Sequence, residues 1–284
     1  MKILSINRGN EFSPNHISND AAILKAVSEH LQAKGTDVDI IAESELDKSI
    51  LSGYDAVVNM CRSNSALALL KGFETEGHIV INSAHGIENC IRFNMTKIFM
   101  AHGLKHPESI LADNLSTLDI ETLTPQYPCW IKRGDACAMT KEDVTYADSK
   151  EKLTETLSDF KKRNIRNAVI NRHLTGDLVK FYGVANTGFF YWFYPSPEKH
   201  SKFGLEIYNG EAQGIPFSLN ELKAECAKAS MILNVPIYGG DAVVTANGDF
   251  KIIDFNDWPS YARCREEAAV HIAEYISSRI KNCQ

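Results

Sequence analysis

Short apolar stretches alternate with an amphipathic segment in the first third of the chain. Four stretches have the length and apolar content of buried strands: Lys2–Asn7, Val38–Ala42, Asp55–Asn59 and His78–Asn82. Between the first two, residues Ile17–Lys34 carry apolar side chains at helical spacing until Gly35 ends the pattern. Strand–helix alternation with short connections predicts a parallel sheet covered by helices. Residues 1–90 are therefore predicted to form a Rossmann-like domain, but no GxGxxG follows the first strand and no dinucleotide is assigned.

The remaining two-thirds of the chain has a different pattern, in which strands follow one another between longer helices. The predicted helices are Ala84–Leu104, Ser149–Arg163, Ser218–Leu233 and Cys264–Ile280. The predicted strands are Pro128–Arg133, Val144–Ala147, Asn167–Arg172, Leu178–Ala185, Gly188–Tyr194, Gly240–Ala246 and Phe250–Asn256. Asn186-Thr187 and Asn247-Gly248 have the composition of hairpin turns, so this part is predicted to be α+β with antiparallel strands.

The bulk composition narrows the classes of partner. The 284 residues carry a formal net charge of −6, and 44% of them are hydrophobic, which is ordinary for a globular chain. Nucleic acids and anionic membranes select a basic protein surface, so neither partner is expected. No apolar run has the length of a membrane span, and the first strand turns polar too soon for a signal peptide. A cytoplasmic protein is predicted, and a homodimer stays open as an alternative to a monomer.

Cysteines and histidines give no pattern that identifies a site. The seven cysteines are odd in number, irregularly spaced and form no CxxC pair. Reduced thiols are the favoured interpretation, and a zinc site or a disulfide framework is the alternative. Cys137 and Cys264 as nucleophiles, and His85 and His173 as general bases, are weaker alternatives to an ordinary structural role.

The hairpin over residues 239–259 carries acids among β-branched apolar neighbours. Asp254 and Asn256 are two positions apart, so their side chains leave the same face of the strand, and Asp241 lies on the paired strand. A carboxylate buried without a partner is costly. Mg²⁺ prefers such hard oxygen ligands together with substrate phosphates. A magnesium site is one interpretation; the other is that Asp254 caps a turn and Asp241 begins a strand at the surface.

The same hairpin resembles the end of an ATP-grasp domain, which has an acid on one strand and an acid-x-Asn on the next. Here these positions hold Asp241 and, on the next strand, Asp254-Phe255-Asn256. The stretch Asn256-Asp257-Trp258-Pro259-Ser260 is similar to the Asn-x-x-Pro-Gly of the family, with Ser260 in the place of glycine.

Three earlier segments also resemble ATP-grasp proteins and follow the order of the family. Asn82-Ser83 with Cys90-Ile91-Arg92 is similar to a segment whose basic residue precedes a helix-ending glycine, here Gly103, by eleven positions. Pro128–Lys132 is similar to the strand that ends in an ATP-phosphate lysine, and Gly176–Val184 to the strand after the hinge. The branches that the chain resembles are the ribosomal-protein glutamate ligases and the inositol trisphosphate 5/6-kinases.

The resemblance, over residues 82–260, implies an enzyme that binds MgATP between two lobes. It implies that the ATP phosphates contact three basic residues: Arg92, Lys132 and Lys180. It implies that Mg²⁺ is held by Asp241, Asp254 and Asn256, and that the adenine edge is held by the hinge residues Asn171, Arg172, His173 and Leu174. Because ATP carries about four negative charges, cations from separate segments suit it.

The implied fold class is an α/β Rossmann-like N-terminal domain followed by an α+β two-lobed ATP-grasp domain. The expected boundaries are 1–90 for the N-terminal domain, 91–168 for the small lobe and 169–284 for the C-terminal lobe with the metal site. Members of the family cover the phosphates with a glycine-rich loop, whereas the stretch Arg133–Met139 after Lys132 has one glycine.

The reaction has three open interpretations. A carboxylate–amine ligase acting through an acyl phosphate is favoured over a small-molecule kinase and over a non-catalytic ATP-binding regulator. Arg263 and Arg265 follow the metal strand and are expected to clamp an anionic small-molecule acceptor, or else to pair with surface acids. The opposite wall is expected from residues after the first strand, because ligands bind at the carboxyl ends of parallel strands; these residues are Asn7, Arg8, Asn10 and His16.

Overall fold

The computed structural model describes residues 1–13, 17–195 and 208–282. Its strands form three four-stranded sheets. The strands are β1 (Lys2–Asn7), β2 (Asp37–Ala42), β3 (Ala56–Asn59), β4 (Ile79–Ile81), β5 (Ser109–Ala112), β6 (Cys129–Arg133), β7 (Val144–Ala147), β8 (Ala168–Arg172), β9 (Asp177–Val184), β10 (Phe190–Phe193), β11 (Ile237–Val244) and β12 (Phe250–Asp257). The α-helices are α1 (Ile17–Ala33), α2 (Lys48–Leu51), α3 (Asn64–Thr75), α4 (Ala84–Asn89), α5 (Arg92–Ala101), α6 (Lys150–Lys162), α7 (Leu219–Leu233) and α8 (Arg265–Lys281).

The first sheet is parallel, with strand order β2-β1-β3-β4, as the alternating pattern predicted. Helix α3 covers one face of this sheet and was missed from the sequence. Its signal was present: Ser63 caps its first turn, and Leu67, Leu70 and Phe73 are buried at helical spacing.

The helix predicted over Ala84–Leu104 is two helices, so this prediction is corrected. Helix α4 ends at Asn89 and α5 begins at Arg92, because Ile91 leaves the helical conformation with ψ 127°. Long-range contacts fix both sides of the break: Asn89 Nδ2 donates to Leu233 O, and the Phe93 backbone N–H donates to Gly134 O. The break places Arg92 in the first turn of α5.

The second and third sheets are antiparallel. Their strand orders are β5-β8-β6-β7 and β10-β9-β11-β12. Strand β5, which pairs with β8, was not predicted. The two predicted hairpins are confirmed: β9 pairs with β10 and β11 pairs with β12.

Two connections join the first and third sheets. The buried amide of Asn82, after β4, donates to Ile237 O and accepts from Ile237 N–H at the start of β11. Helix α8 leaves the end of β12 and packs against α1, so the apolar faces of both helices share a core with β1 and β3. The carboxyl end of β12 therefore lies against the first sheet.

Candidate active site

A cavity of about 320 Å³ opens between the second and third sheets. Its walls contain nine of the residues expected at the nucleotide and metal sites: Arg92, Lys132, Asn171, Arg172, Leu174, Lys180, Asp241, Asp254 and Asn256. The remaining lining residues are Pro107, Trp130, Ala138, Val144, Leu178, Asn209, Val243 and Ile253.

Strand register brings the polar groups of the third sheet into one row. Asp241 of β11 lies opposite Lys180 of β9 on one side and Asp254 of β12 on the other. Directly opposed residues share a face, so the three side chains meet on the cavity side. Lys180 Nζ is 3.0 Å from Asp241 Oδ1. Asn256, two positions after Asp254, also lines the cavity, as strand alternation requires.

A β-bulge next to this row turns a carbonyl towards the second sheet. Asp241 pairs with Asp254 but Ala242 pairs with Ile252, which leaves Ile253 without a partner in the ladder. The free Ile253 carbonyl accepts a hydrogen bond from Lys132 Nζ at 3.0 Å. Lys132 belongs to β6, so this hydrogen bond crosses the cavity from one sheet to the other.

Lys132 and Arg92 add positive charge to the acidic row. Lys132 is 7% exposed, and burial together with nearby Arg92 lowers the pKa of its ammonium to about 8 against the pull of Asp254 and Asp241. Arg92 Nη2 is 3.6 Å from Asp254 Oδ2, and its Nη1 donates to Arg133 O. Arg92 Nε is buried with no hydrogen-bond partner in the described part of the chain.

The charge state of Asp254 follows from these neighbours. Burial disfavours its carboxylate, but Arg92, Lys132 and Lys180, with a hydrogen bond from Asn256, outweigh burial and hold its pKa below the usual value. The carboxylate is therefore ionised at neutral pH.

The carboxylates of Asp241 and Asp254 and the amide oxygen of Asn256, beside a group of cations, are a donor set that fits Mg²⁺ bound together with phosphates.

Apolar and aromatic side chains also line the cavity, among them Pro107, Trp130, Val144, Leu174 and Leu178. Asn171 Nδ2 donates to Ser109 Oγ, and Asn209 Nδ2 donates to the carbonyl of Leu174. His173 is not among the lining residues: its Nδ1 accepts from Trp130 Nε1, and burial lowers the pKa of its imidazole. The rings of Trp130 and Tyr208 pack edge to face, with their centres 5.1 Å apart.

Sequence reasoning missed several lining residues. Trp130 and Leu178 are two positions before Lys132 and Lys180, so strand alternation alone would have placed them on the same faces. Asn209 had no such signal, because it comes from a connecting segment that reaches the cavity only through tertiary contacts.

The loop after Lys132 lies beside the cavity, which Ala138 lines. The wholly buried carboxylate of Asp143 accepts from the backbone N–H groups of Met139 and Thr140 and pairs with Arg163. Burial opposes ionisation of Asp143, but these N–H groups and Arg163 hold the pKa of its carboxyl below the usual value. The loop is thus held by hydrogen bonds to a carboxylate.

The residues expected to bind the acceptor lie apart from the cavity. The Arg263 guanidinium is 4.1 Å from the centre of the Phe193 ring, and Arg265 Nη2 donates to Asn19 Oδ1. The Arg8 side chain is 8% exposed, with Nη1 2.9 Å from Asp20 Oδ2 and Nη2 donating to Trp258 O. Asn7 ends β1 and Asn10 follows it, so both belong, like Arg8, to the carboxyl edge of the first sheet. His16 lies outside the described residues.

Three other candidate residues from the sequence, Cys137, Cys264 and His85, do not line the cavity. The six cysteines in the described ranges are free thiols, and burial raises the pKa of Cys264 to about 12. His85 is exposed near Glu74. Within residues 1–13, 17–195 and 208–282, no helix is long and apolar enough to cross a membrane.

Comparison with solved structures identifies the class of fold. The chain superimposes over nearly its full length on ATP-grasp proteins, and it has the ATP-grasp fold. It is similar to the D-alanine–D-alanine ligase of Bacillus anthracis complexed with ATP, with TM-score 0.69, 14% identity and coverage of 99% of both chains.

Two further structures give the same result. The D-alanyl-alanine synthetase A of Vibrio cholerae matches with TM-score 0.70 and 11% identity over 100% of this chain and 98% of that one. A RimK domain ATP-grasp protein from Sphaerobacter thermophilus matches with TM-score 0.66 and 12% identity over 98% and 100%. No protein-family model matches the sequence, and neither does any curated protein.

Proposed function

We propose that the protein is an ATP-dependent carboxylate–amine ligase that binds ATP in the cavity between the second and third sheets. The observation that carries the proposal is the convergence of Arg92, Lys132 and Lys180, from three separate elements, on the acids Asp241 and Asp254. The similar solved structures include a D-alanine–D-alanine ligase complexed with ATP, which supports both the nucleotide and the ligase assignment.

Each group in the cavity has a distinct role in this proposal. The two lysines and Arg92 bind the phosphate oxygens, because charge-assisted hydrogen bonds to phosphate are the strongest available to these side chains. Asp241, Asp254 and Asn256 hold Mg²⁺, which supplies positive charge to the phosphates when bound. Asn171, Arg172 and Leu174 line the end of the cavity that receives the base.

The proposed reaction has two steps. A carboxylate oxygen of the acceptor attacks the γ-phosphorus, the bond from that phosphorus to the ADP oxygen breaks, and an acyl phosphate and ADP form. An amine then attacks the acyl carbon, phosphate leaves and the amine loses a proton. Lys132, Lys180 and Arg92 stabilise the charge that spreads over the transferring group.

Product analysis separates this function from its alternatives. Purified protein is incubated with MgATP and pooled amino acids, dipeptides or polyols, and ADP and free phosphate are measured separately. A ligase releases both in equal amounts only when its substrates are present. ADP without free phosphate indicates a kinase, and nucleotide binding without turnover indicates a non-catalytic regulator.

A further inference from the structure

Three alternate residues of β9 mark successive regions of the cavity face. Leu178 and Lys180 both line the cavity, and Tyr182 lies two positions further along the strand, so all three side chains leave the same face. The hinge residue Leu174 precedes β9, which places Leu178 on the side of the base and Lys180 at the phosphates. Tyr182 follows about 7 Å beyond Lys180, at the strand rise per residue.

The direction along β9 locates the acceptor. In the proposed reaction the leaving group is ADP, which lies towards Leu178. Attack on the γ-phosphorus is in line with the bond that breaks, so the attacking group approaches from the side opposite ADP. On that side β9 continues to Tyr182, and the acceptor therefore meets the part of the sheet face that begins there.

Strand register makes this part of the face aromatic. Tyr191 lies opposite Tyr182, and Phe193 lies opposite Lys180. Directly opposed residues share a face, so both rings stand beside Tyr182. The ring centres of Tyr182 and Tyr191 are 6.4 Å apart with planes 11° apart, and the Phe193 centre is 5.7 Å and 5.8 Å from these two. Tyr182, Tyr191 and Phe193 are called the aromatic wall below.

A glycine brings the aromatic wall up to the proposed metal site. Gly239 of β11 lies opposite Tyr182 on one side and opposite Asn256 on the other. A Cβ at Gly239 would lie 2.8 Å from Tyr182 Cδ1, which is closer than such atoms pack. The ring of Tyr182 therefore lies over β11, in the direction of Asn256, because this position has no side chain.

The aromatic wall is supported from behind and open in front. The buried ring of Tyr261 lies 5.1 Å from that of Tyr182, and its hydroxyl is within 3.0 Å of the carbonyl oxygens of Gly183 and Tyr238. All three members of the wall are half-buried. Within the described part of the chain, the hydroxyls of Tyr182 and Tyr191 make no hydrogen bond and are not sealed from solvent.

The charges around the aromatic wall decide which ligand suits it. Aromatic faces attract cations, but the exposed Arg263 already lies 4.1 Å from the centre of the Phe193 ring, and Lys180 borders the wall at the phosphates. These two cations repel a third. Burial raises the pKa of Tyr182 to about 12, so the wall itself is neutral at physiological pH. A neutral ring is the group that gains most from packing against other rings.

We propose that the aromatic wall binds an aromatic ring of the acceptor, so that the carboxylate substrate carries an aromatic side chain. The inference rests on the proposed function, because the direction of attack presupposes ATP in the cavity. The open hydroxyls of Tyr182 and Tyr191 supply hydrogen bonds to a polar substituent on that ring.

The test compares carboxylates that differ in one property at a time. Phenylalanine and cyclohexylalanine have the same carbon skeleton, but only the first is aromatic, and alanine lacks the ring. The series 3-phenylpropionate, 3-cyclohexylpropionate and propionate repeats the comparison without the amine. Each compound is added, with both enantiomers where they exist, to MgATP and a common mixture of ammonium and glycine. Phosphate release above that of the mixture alone is measured.

The wild type should prefer the phenyl compounds. Their kcat/KM should exceed that of the cyclohexyl compounds about threefold to tenfold, and that of the compounds without a ring about tenfold or more. Tyr191→Leu should abolish the preference for phenyl over cyclohexyl and raise the KM of the phenyl compounds. Calorimetry should find its Kd for a non-hydrolysable ATP analogue within about twofold of the wild type, since Tyr191 lies outside the ATP cavity.

The matched control is Trp192→Leu. Trp192 neighbours Tyr191 on β10 but packs on the opposite face, against the core that contains Phe181 and Phe255. This variant loses a ring of the same strand without touching the aromatic wall, so the preference for phenyl compounds should remain.

Three results would overturn the inference: equal kcat/KM for phenyl and cyclohexyl compounds, a preference retained by Tyr191→Leu, or no response to phenyl compounds by wild type that binds the ATP analogue. Failure of the wild type to bind the analogue would instead remove the proposed function, and the inference with it. If Tyr191→Leu does not fold, Phe193→Leu takes the same test, and the comparison of substrates on the wild type needs no variant.

Discussion

Lys180 on β9 and Asp241 on β11 are directly opposed in the third sheet, and Lys180 Nζ is 3.0 Å from Asp241 Oδ1. Both side chains keep about a quarter of their surface exposed, at 23% and 26%. A pair with this exposure contributes about 0–1 kcal/mol to stability. Phosphate oxygens can therefore replace the carboxylate as the partner of Lys180 at small cost, and the carboxylate is then available to a cation.

Replacing Lys180 should weaken nucleotide binding far more than it destabilises the fold. For Lys180→Met we expect a loss of about 1.5–3 kcal/mol in binding of a non-hydrolysable ATP analogue, which is one charge-assisted hydrogen bond. The free energy of unfolding should change by about 1 kcal/mol or less. Calorimetry and urea denaturation measure the two quantities. Unchanged affinity in this variant would remove Lys180 from the phosphate site.

Lys132 should make the stability of the protein depend on pH above neutrality. Its folded pKa of about 8 lies below the ordinary value of 10.5, so the unfolded chain binds more protons between these values. The free energy of unfolding should therefore rise with pH across that window, and the cost of the buried charge is fully present below about pH 8. Lys132→Met should lack this rise. Urea titrations of both proteins at several pH values test it, and parallel curves would contradict it.

Asp254→Asn should abolish turnover and leave the fold intact. The variant keeps the shape of the side chain but removes the negative charge that faces Arg92, Lys132 and Lys180. Phosphate release with excess Mg²⁺ measures the loss, and circular dichroism measures the fold. Asp249→Asn, at the other end of the same hairpin and paired with Lys105, is the control and should remain active. Turnover by Asp254→Asn at the wild-type rate would exclude a metal ligand at this position.

Glu43 should contribute more to stability than an ordinary surface acid. Glu43→Gln places an amide against one of three backbone N–H groups, and a buried donor left without a partner costs about 1–3 kcal/mol. Glu29→Gln, which removes an exposed pair with Lys25, should change stability by about 0.5 kcal/mol or less. Equal unfolding midpoints for the two variants would show that the hydrogen bonds from the backbone N–H groups of Gly9, Arg62 and Ser63 to the Glu43 carboxylate do not stabilise the fold.

Two glycines in helices should respond in opposite directions to alanine. A Cβ at Gly86 would lie 2.1 Å from Asn234 O, whereas a Cβ at Gly72 meets nothing within 4 Å. We expect Gly86→Ala to lower the free energy of unfolding by about 1–3 kcal/mol through overpacking. Gly72→Ala should raise it by about 0.5–1 kcal/mol through helix propensity. Thermal unfolding of both variants decides, and a Gly86→Ala protein of wild-type stability would contradict the close approach of α4 to Asn234.

Short-range pattern predicted the elements that carry most of the cavity residues, because strand alternation and hairpin turns are local properties. Asp254 and Asn256 fall on one face for that reason. The turn at Asn247-Gly248 alone would pair Asp241 with Ile253, so the pairing of Asp241 with Asp254 depends on the β-bulge, which the sequence did not predict. The break at Ile91 and the approach of Asn209 to the cavity depend on contacts with residues far away in sequence. The pairing of Arg62 with Asp257 spans about two-thirds of the chain and has no local signal.

The packing of α8 on α1 has a consequence for how the protein is made. A chain leaves the ribosome from its N-terminus, and domains generally fold in that order. Here one apolar face of the first sheet and of α1 is completed by Ile272, Ile276 and Ile280 of α8, which are synthesised long after α1. The first sheet and α1 therefore stay partly uncovered until α8 has left the ribosome, and during that time their exposed apolar surface is open to chaperones.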